Sequence, residues 1–126
     1  MSTDVRTLKV LIVEDEFIIA DEIATIVEAA GHAIVGPVGS LDEALRALDR
    51  DPPDFAIIDA SLRGTSSAPL AERLRALGLP FCVCTGYRRE DLRPGFGDVL
   101  VVPKPVRAST LAGLLRSTAV RLGSRP

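Results

Sequence analysis

Glu14, Asp15 and Glu16 follow directly on the apolar run Val10-Leu11-Ile12-Val13. A fully apolar run bounded by charge reads as a strand buried on both faces, with the acids at its end. Three adjacent carboxylates repel one another unless a cation holds them. Asp59 closes a second run, Phe55-Ala56-Ile57-Ile58, Thr85 closes a third, Phe81-Cys82-Val83-Cys84, and Lys104 follows a fourth, Val99-Leu100-Val101-Val102. Oxygen-only ligands from two strand ends suit a hard divalent cation, Mg²⁺ before others. Such an ion lets a phosphoryl group sit beside carboxylates that would otherwise repel it. Asp59 is then the nucleophile candidate. Lys104 supplies a point charge and Thr85 a hydroxyl donor for phosphoryl oxygens. An ionised carboxylate needs no general base to attack, and none is visible in the pattern. The set is equipped to accept a phosphoryl group and poorly equipped to hydrolyse it quickly.

These residues require a scaffold that brings four strand ends together. Residues 1–7 read as a frayed polar arm and 8–13 as the first strand. Phe17, Ile19, Ile23, Ile26, Val27 and Ala30 recur at helical spacing, which predicts a helix over 16–30 stopped by Gly31. His32 is expected in a solvated turn, and residues 33–36 form a second strand closed by Pro37. Ser40 and Glu43 carry the capping-box pattern ahead of a helix that turns Ala44, Leu45 and Leu48 inward. A third strand covers 54–59 and a loop 60–67. Pro69 suits the first turn of the next helix, whose stripe is Leu70, Leu74 and Leu77. The fourth strand covers 79–84. Residues 88–97, interrupted by Pro94, Gly95 and Gly97, have room for two helical turns at most. The fifth strand covers 99–102, and Leu111, Leu114, Leu115, Ala119 and Leu122 mark a last helix. Strands alternating with helices predict a parallel sheet covered on both faces. Ligands of such sheets bind beyond the carboxyl ends of the strands, where all these polar residues fall.

Composition narrows the function classes. At 126 residues the chain is long enough for one domain with a real core. A net charge of −2 argues against a nucleic-acid surface. The late arginines Arg107, Arg116, Arg121 and Arg125 are spread along a helix-like stretch and read as a solvated face. Cys82 and Cys84, two apart on a strand, share one face and read as buried free thiols suited to a reducing cytosol. No apolar leader region and no membrane-length apolar window is present.

Glu14-Asp15, Asp59, Thr85 and Lys104-Pro105, in this order and context, resemble the signature of response regulator receiver domains over about residues 8–122. The resemblance implies a single domain, 1–126, with the flavodoxin-like (CheY-like) doubly wound α/β fold. That fold has a five-stranded parallel sheet in the order 2-1-3-4-5. It implies a Mg²⁺-dependent phosphoacceptor, Asp59, fed by a sensor histidine kinase in the cytoplasm. Asp15 and Asp59 would bind the metal directly, Glu14 through water, and Ser61 by its backbone carbonyl. Thr85 and Lys104 would read the phosphoryl group, Gly86 and Tyr87 would move with Thr85, and the bond before Pro105 would be cis.

Two departures stand out. Val101 occupies the position of the usual switch aromatic three residues before the lysine, and Arg63 a position that is often proline, four residues after the phosphoacceptor. Residues 79–87, the Arg63–Ser67 loop and Pro69 are similar instead to the atypical "FATGUY" receivers, which tend to have one domain and a short or disordered fourth helix. A stand-alone receiver of this kind, monomer or weak dimer, would act by contact with an unknown downstream protein. It would touch neither nucleic acid nor membrane, and would be no enzyme beyond self-phosphotransfer and slow dephosphorylation. Two rivals share the residues. A pseudo-receiver would bind partners without phosphorylation. An aspartyl phosphatase of the haloacid-dehalogenase type would want a second acid where Ser61 stands. A nucleotide-binding module lacks its glycine-rich loop after the first strand.

Overall fold

The alternation of apolar side chains along three central strands decides the layering. Val10 and Ile12 face one side and Leu11 and Val13 the other; Phe55 and Ile57 are opposed in the same way to Ala56 and Ile58, and Cys82 and Cys84 to Val83. The structure, a computed structural model, describes residues 6–123. The elements are β1 (Lys9–Val13), α1 (Phe17–Ala29), β2 (Ala33–Val38), α2 (Leu41–Arg50), β3 (Phe55–Asp59), β4 (Ser61–Leu62), β5 (Thr65–Ser66), α3 (Ala68–Ala76), β6 (Phe81–Thr85), α4 (Arg89–Phe96), β7 (Val101–Pro103) and α5 (Ala108–Gly123). The main sheet is parallel, in the order β2-β1-β3-β6-β7. Setting aside the small β4–β5 hairpin, that is the expected 2-1-3-4-5.

Helices α1 and α5 cover one face through Ile23, Ala24, Val27, Leu111, Leu115 and Ala119. Helices α2, α3 and α4 cover the other through Ala44, Leu48, Leu70, Leu74, Leu92 and Phe96. Both faces of the central strands are therefore out of water, as their uninterrupted apolar runs required. The chain leaves β1 for β2 and returns to β3, so the switch point lies between the ends of β1 and β3.

Several local expectations need correction. Phe17 and Ile18 point outward, 84% and 72% exposed, because they stand on the first turn of α1, off the stripe of Ala20, Ile23, Ala24 and Val27. Glu16 is the N-cap of α1, in extended backbone, rather than a residue of its first turn. His32 is buried: its Nδ1 accepts the N–H of Leu8 at 3.0 Å, an amide at the start of β1. Pro37 lies within β2 instead of ending it, and the Gly36–Pro37 bond is cis. Gly36 has φ +91°, and a Cβ there would come within 2.8 Å of the Val38 N and 3.1 Å of the Ile12 O, so only glycine fits. Leu77 lies past the end of α3 and is half-exposed. The loop 60–67 contains the β4–β5 hairpin, turned on Arg63 (φ 52°) and Gly64 (φ 79°), the paired positive φ of a type I′ turn. Residues 1–5 of the polar arm lie outside the described residues, whereas Arg6 pairs with Asp54 at 2.9 Å.

Other expectations match the structure. Ser40 caps α2, its Oγ accepting the Glu43 N–H at 3.2 Å. The segment 88–97 holds one eight-residue helix, α4, with Pro94 inside it; besides the expected Leu92 it buries Phe96. Both cysteines are free and buried on one face. The partnership with Cys84, together with burial, holds the Cys82 thiol well above its ordinary pKa, so neither attack nor oxidation is favoured there.

Candidate functional site

Four strand ends converge on one cluster. β1 delivers Glu14 and Asp15, β3 ends on Asp59, β6 on Thr85, and β7 leads to Lys104. Parallel pairing sets their level: Val13 is in register with Ile58 and Asp59 with Cys84. Beyond the last rungs the backbone stays knitted, the Glu14 N–H donating to the Val38 O at 2.9 Å and the Lys104 N–H to the Thr85 O at 2.9 Å.

Lys104 is the hub. Its Nζ donates to Glu14 Oε1 and to Asp59 Oδ2, both at 2.9 Å. Glu14 is 3% exposed. Burial pushes its carboxyl up, against the opposing hydrogen bonds from Lys104 and the Glu16 N–H, to about 7. Burial alone would lower the Lys104 pKa, but its bonds to Asp59 and Glu14 outweigh that and hold the ammonium more tightly protonated than usual. The X-Pro bond that follows, Lys104–Pro105, is cis, as expected.

Asp59 accepts the Ser61 N–H on Oδ1 at 3.3 Å, and its backbone carbonyl accepts the Ser67 hydroxyl at 2.5 Å. Asp15 Oδ2 accepts the Arg63 N–H at 3.0 Å. One carboxylate oxygen each from Glu14, Asp15 and Asp59 lies within 4.8 Å of the other two. Hard oxygen donors at that spacing, two of them at the solvent edge, fit Mg²⁺, which takes few protein ligands and keeps several waters. Ser61, expected as a backbone ligand, lies in β4, two residues beyond Asp59.

Thr85 is buried, and its Oγ1 accepts the Tyr87 N–H at 3.1 Å, closing a short turn across Gly86. Tyr87 is 66% exposed and borders a groove of about 450 Å³ formed with Ser61, Gly64, Ser66, Leu92 and Phe96. On the other side of the acids a cleft of about 380 Å³ is bordered by Phe17, Asp21, Pro37 and Gly39.

The structure thus places Glu14, Asp15, Asp59, Ser61, Thr85 and Lys104, with Gly86 and Tyr87, at one edge of the sheet. Two more belong there that the sequence reading did not place. Ser67 fixes the Asp59 backbone from eight residues away, with no local signal. Arg63 stood out as a departure from a common proline and as part of the Arg63–Ser67 loop; the Arg63-Gly64 pair was the available sign of a tight turn.

Comparison with known proteins agrees with this geometry. The family description "Response regulator receiver domain" matches residues 10–116. The response regulator PhoP of Pseudomonas aeruginosa is 32% identical over 103 residues, which are 76% of this chain and 45% of that protein. The transcriptional regulatory protein PdtaR of Mycobacterium tuberculosis is 29% identical over 85 residues, 67% of this chain and 42% of that protein. The chain therefore spans less than half the length of these curated relatives. The solution structure of the REC domain of the Erythrobacter litoralis response regulator PhyR superposes with a TM-score of 0.81 at 27% identity, covering 96% of this chain and 95% of that one. With the matched profile running through all four strand ends, the chain belongs to the response regulator receiver domain family.

Proposed function

We propose that this domain accepts a phosphoryl group on Asp59 from a phosphohistidine of a sensor kinase, with Mg²⁺ bound, and uses it to switch contacts with another protein. The observation that carries the reading is the Asp59 carboxylate, held between the Lys104 ammonium at 2.9 Å and the Ser61 N–H at 3.3 Å, with oxygens of Glu14 and Asp15 within 4.8 Å. An Asp59 oxygen attacks phosphorus; the new P–O bond forms as the bond to the donor nitrogen breaks, and that nitrogen keeps the electron pair. Bound among the three acids, the ion supplies positive charge that offsets their repulsion of the incoming group. Asp15 and Asp59 would hold it directly, Glu14 through water, and the Ser61 backbone carbonyl would complete the protein ligands. Lys104 then follows a phosphoryl oxygen, to which it brings a permanent charge.

Hydrolysis is expected to be slow, and the domain is otherwise no enzyme. The chain's sole histidine, His32, stands just before β2 with its ring on the Leu8 amide, at the opposite end of β1 from the acids. The phosphoryl group adds about two negative charges and three acceptor oxygens. Thr85 is drawn to it and gives up the Tyr87 N–H, which frees Tyr87 and α4 to repack over the adjoining groove. The exposed Phe17 and Ile18 flank the acids and offer the kinase an apolar foothold. Among the described residues no helix is long and apolar enough to cross a membrane.

The test is incubation with acetyl phosphate and Mg²⁺ followed by intact mass. Wild type should gain one phosphoryl group, and Asp59→Asn none. No gain in wild type would favour a phosphorylation-independent interaction module, and sustained release of phosphate a phosphatase.

A further inference from the structure

The phosphoryl-acceptor reading leaves one charged residue at the site without a role. Arg63 sits on the hairpin tip with φ 52°, beside Gly64 at φ 79°, so the turn pins its backbone. Its N–H donates to Asp15 Oδ2 at 3.0 Å. Its guanidinium lies over Gly39: Nη2 is 3.4 Å from where a Cβ would stand, and the next nearest atoms there are the Asp15 Cα and the Glu14 O. A larger residue at position 39 would crowd it out of that resting place. Among the described residues the guanidinium forms no ion pair, although the Arg63 backbone is bonded to the Asp15 carboxylate. It is thus an exposed cation on a fixed base, within one side-chain length of the acid cluster.

We propose that Arg63 is a second cation for the phosphoryl group, leaving Gly39 to hydrogen-bond a phosphoryl oxygen on Asp59 once that group is in place. This rests on the reading of Asp59 as acceptor. The charge balance asks for such a residue. Lys104 alone faces two carboxylates and is already bonded to both. An incoming group with about two further negative charges has oxygens in excess of the donors Lys104 and Thr85. A guanidinium offers two parallel N–H groups to such oxygens, which an ammonium cannot. While the site holds no phosphoryl group, the same charge opposes a divalent cation among the acids. Arg63 therefore acts with opposite sign on the two ligands, and a residue that merely shaped the hairpin would not.

That difference of sign is the test. Mg²⁺ alone is titrated into wild type, Arg63→Gln and Arg63→Lys by calorimetry, and beryllofluoride is then titrated at saturating Mg²⁺. All three side chains meet the same left-handed backbone at position 63. Arg63→Gln should bind Mg²⁺ as tightly as wild type or a few-fold more tightly, and beryllofluoride about tenfold more weakly. Arg63→Lys, with the charge but not the fork, should fall between. Equal weakening of both ligands in Arg63→Gln would make Arg63 structural and overturn the proposal, as would unchanged beryllofluoride binding. Wild type that binds Mg²⁺ but no beryllofluoride would refute the acceptor reading itself, and this proposal with it.

Discussion

Lys104 joins two carboxylates that would otherwise face each other across the ends of β1 and β3. Removing it by Lys104→Met leaves Glu14 buried without its cation, and should lower stability by about 1–3 kcal/mol in chemical denaturation. A loss near zero would mean that Glu14 is neutral in the fold and that the pair contributes nothing. His32 carries a second prediction. Its Nδ1 can accept the Leu8 N–H only when that nitrogen is unprotonated, and burial lowers the ring's pKa below its ordinary 6.5. Between the two values the unfolded chain binds the proton more readily. Stability should therefore fall as pH drops through 6.5, by up to about 1.4 kcal/mol per pH unit, and level off below the folded value. His32→Asn keeps an acceptor that does not titrate. The difference between wild type and His32→Asn should carry this slope, since Glu14 titrates in both. The site carboxylates and Lys104 were legible because each follows an apolar run. His32 was not, because its partner lies twenty-four residues away and only the folded sheet brings the Leu8 amide to it.

At the scale of elements, strands and caps were read most accurately where local physics is sufficient. The capping box at Ser40 and Glu43 depends on four residues and appears as expected. Strand β2 shows where local reading stops. Pro37 looked like a terminator, yet β2 continues to Val38, and the register with β1 shifts between Leu11 and Val13 to accommodate it. Gly36 makes the bend possible. Gly36→Ala should cost about 1–3 kcal/mol in thermal or denaturant unfolding, from a disfavoured φ and a contact with the Val38 N. A cost within a few tenths would mean that β2 bends by another route. Helix α4 was anticipated as short from its Pro and Gly, but Phe96 was not counted as an anchor, because at the last position of so broken a segment nothing local marks a buried face.

For the whole molecule, alternation of strands and helices predicted a parallel sheet, whose polar strand ends must share one edge, and the family resemblance implied its order. The sequence already pointed to Thr85, Gly86 and Tyr87 as the path by which the site is read; the structure adds the contacts along it. Receivers with an aromatic on the last strand have an obvious mover; here Val101 is half-buried in that place. The structure offers Thr85 instead, bonded to the Tyr87 N–H, with Tyr87 over the groove between the β4–β5 hairpin and α4. A phosphoryl group that draws Thr85 away must change the protection of this segment, and a two-state switch requires that the change be large in one state and absent in the other. The most direct measurement is amide exchange across residues 86–97, with Mg²⁺ alone and with Mg²⁺ and beryllofluoride, in wild type and Asp59→Asn. The account predicts that beryllofluoride slows exchange across α4 in wild type and leaves Asp59→Asn unchanged. Equal exchange in wild type with and without beryllofluoride, once binding is saturated, would contradict it.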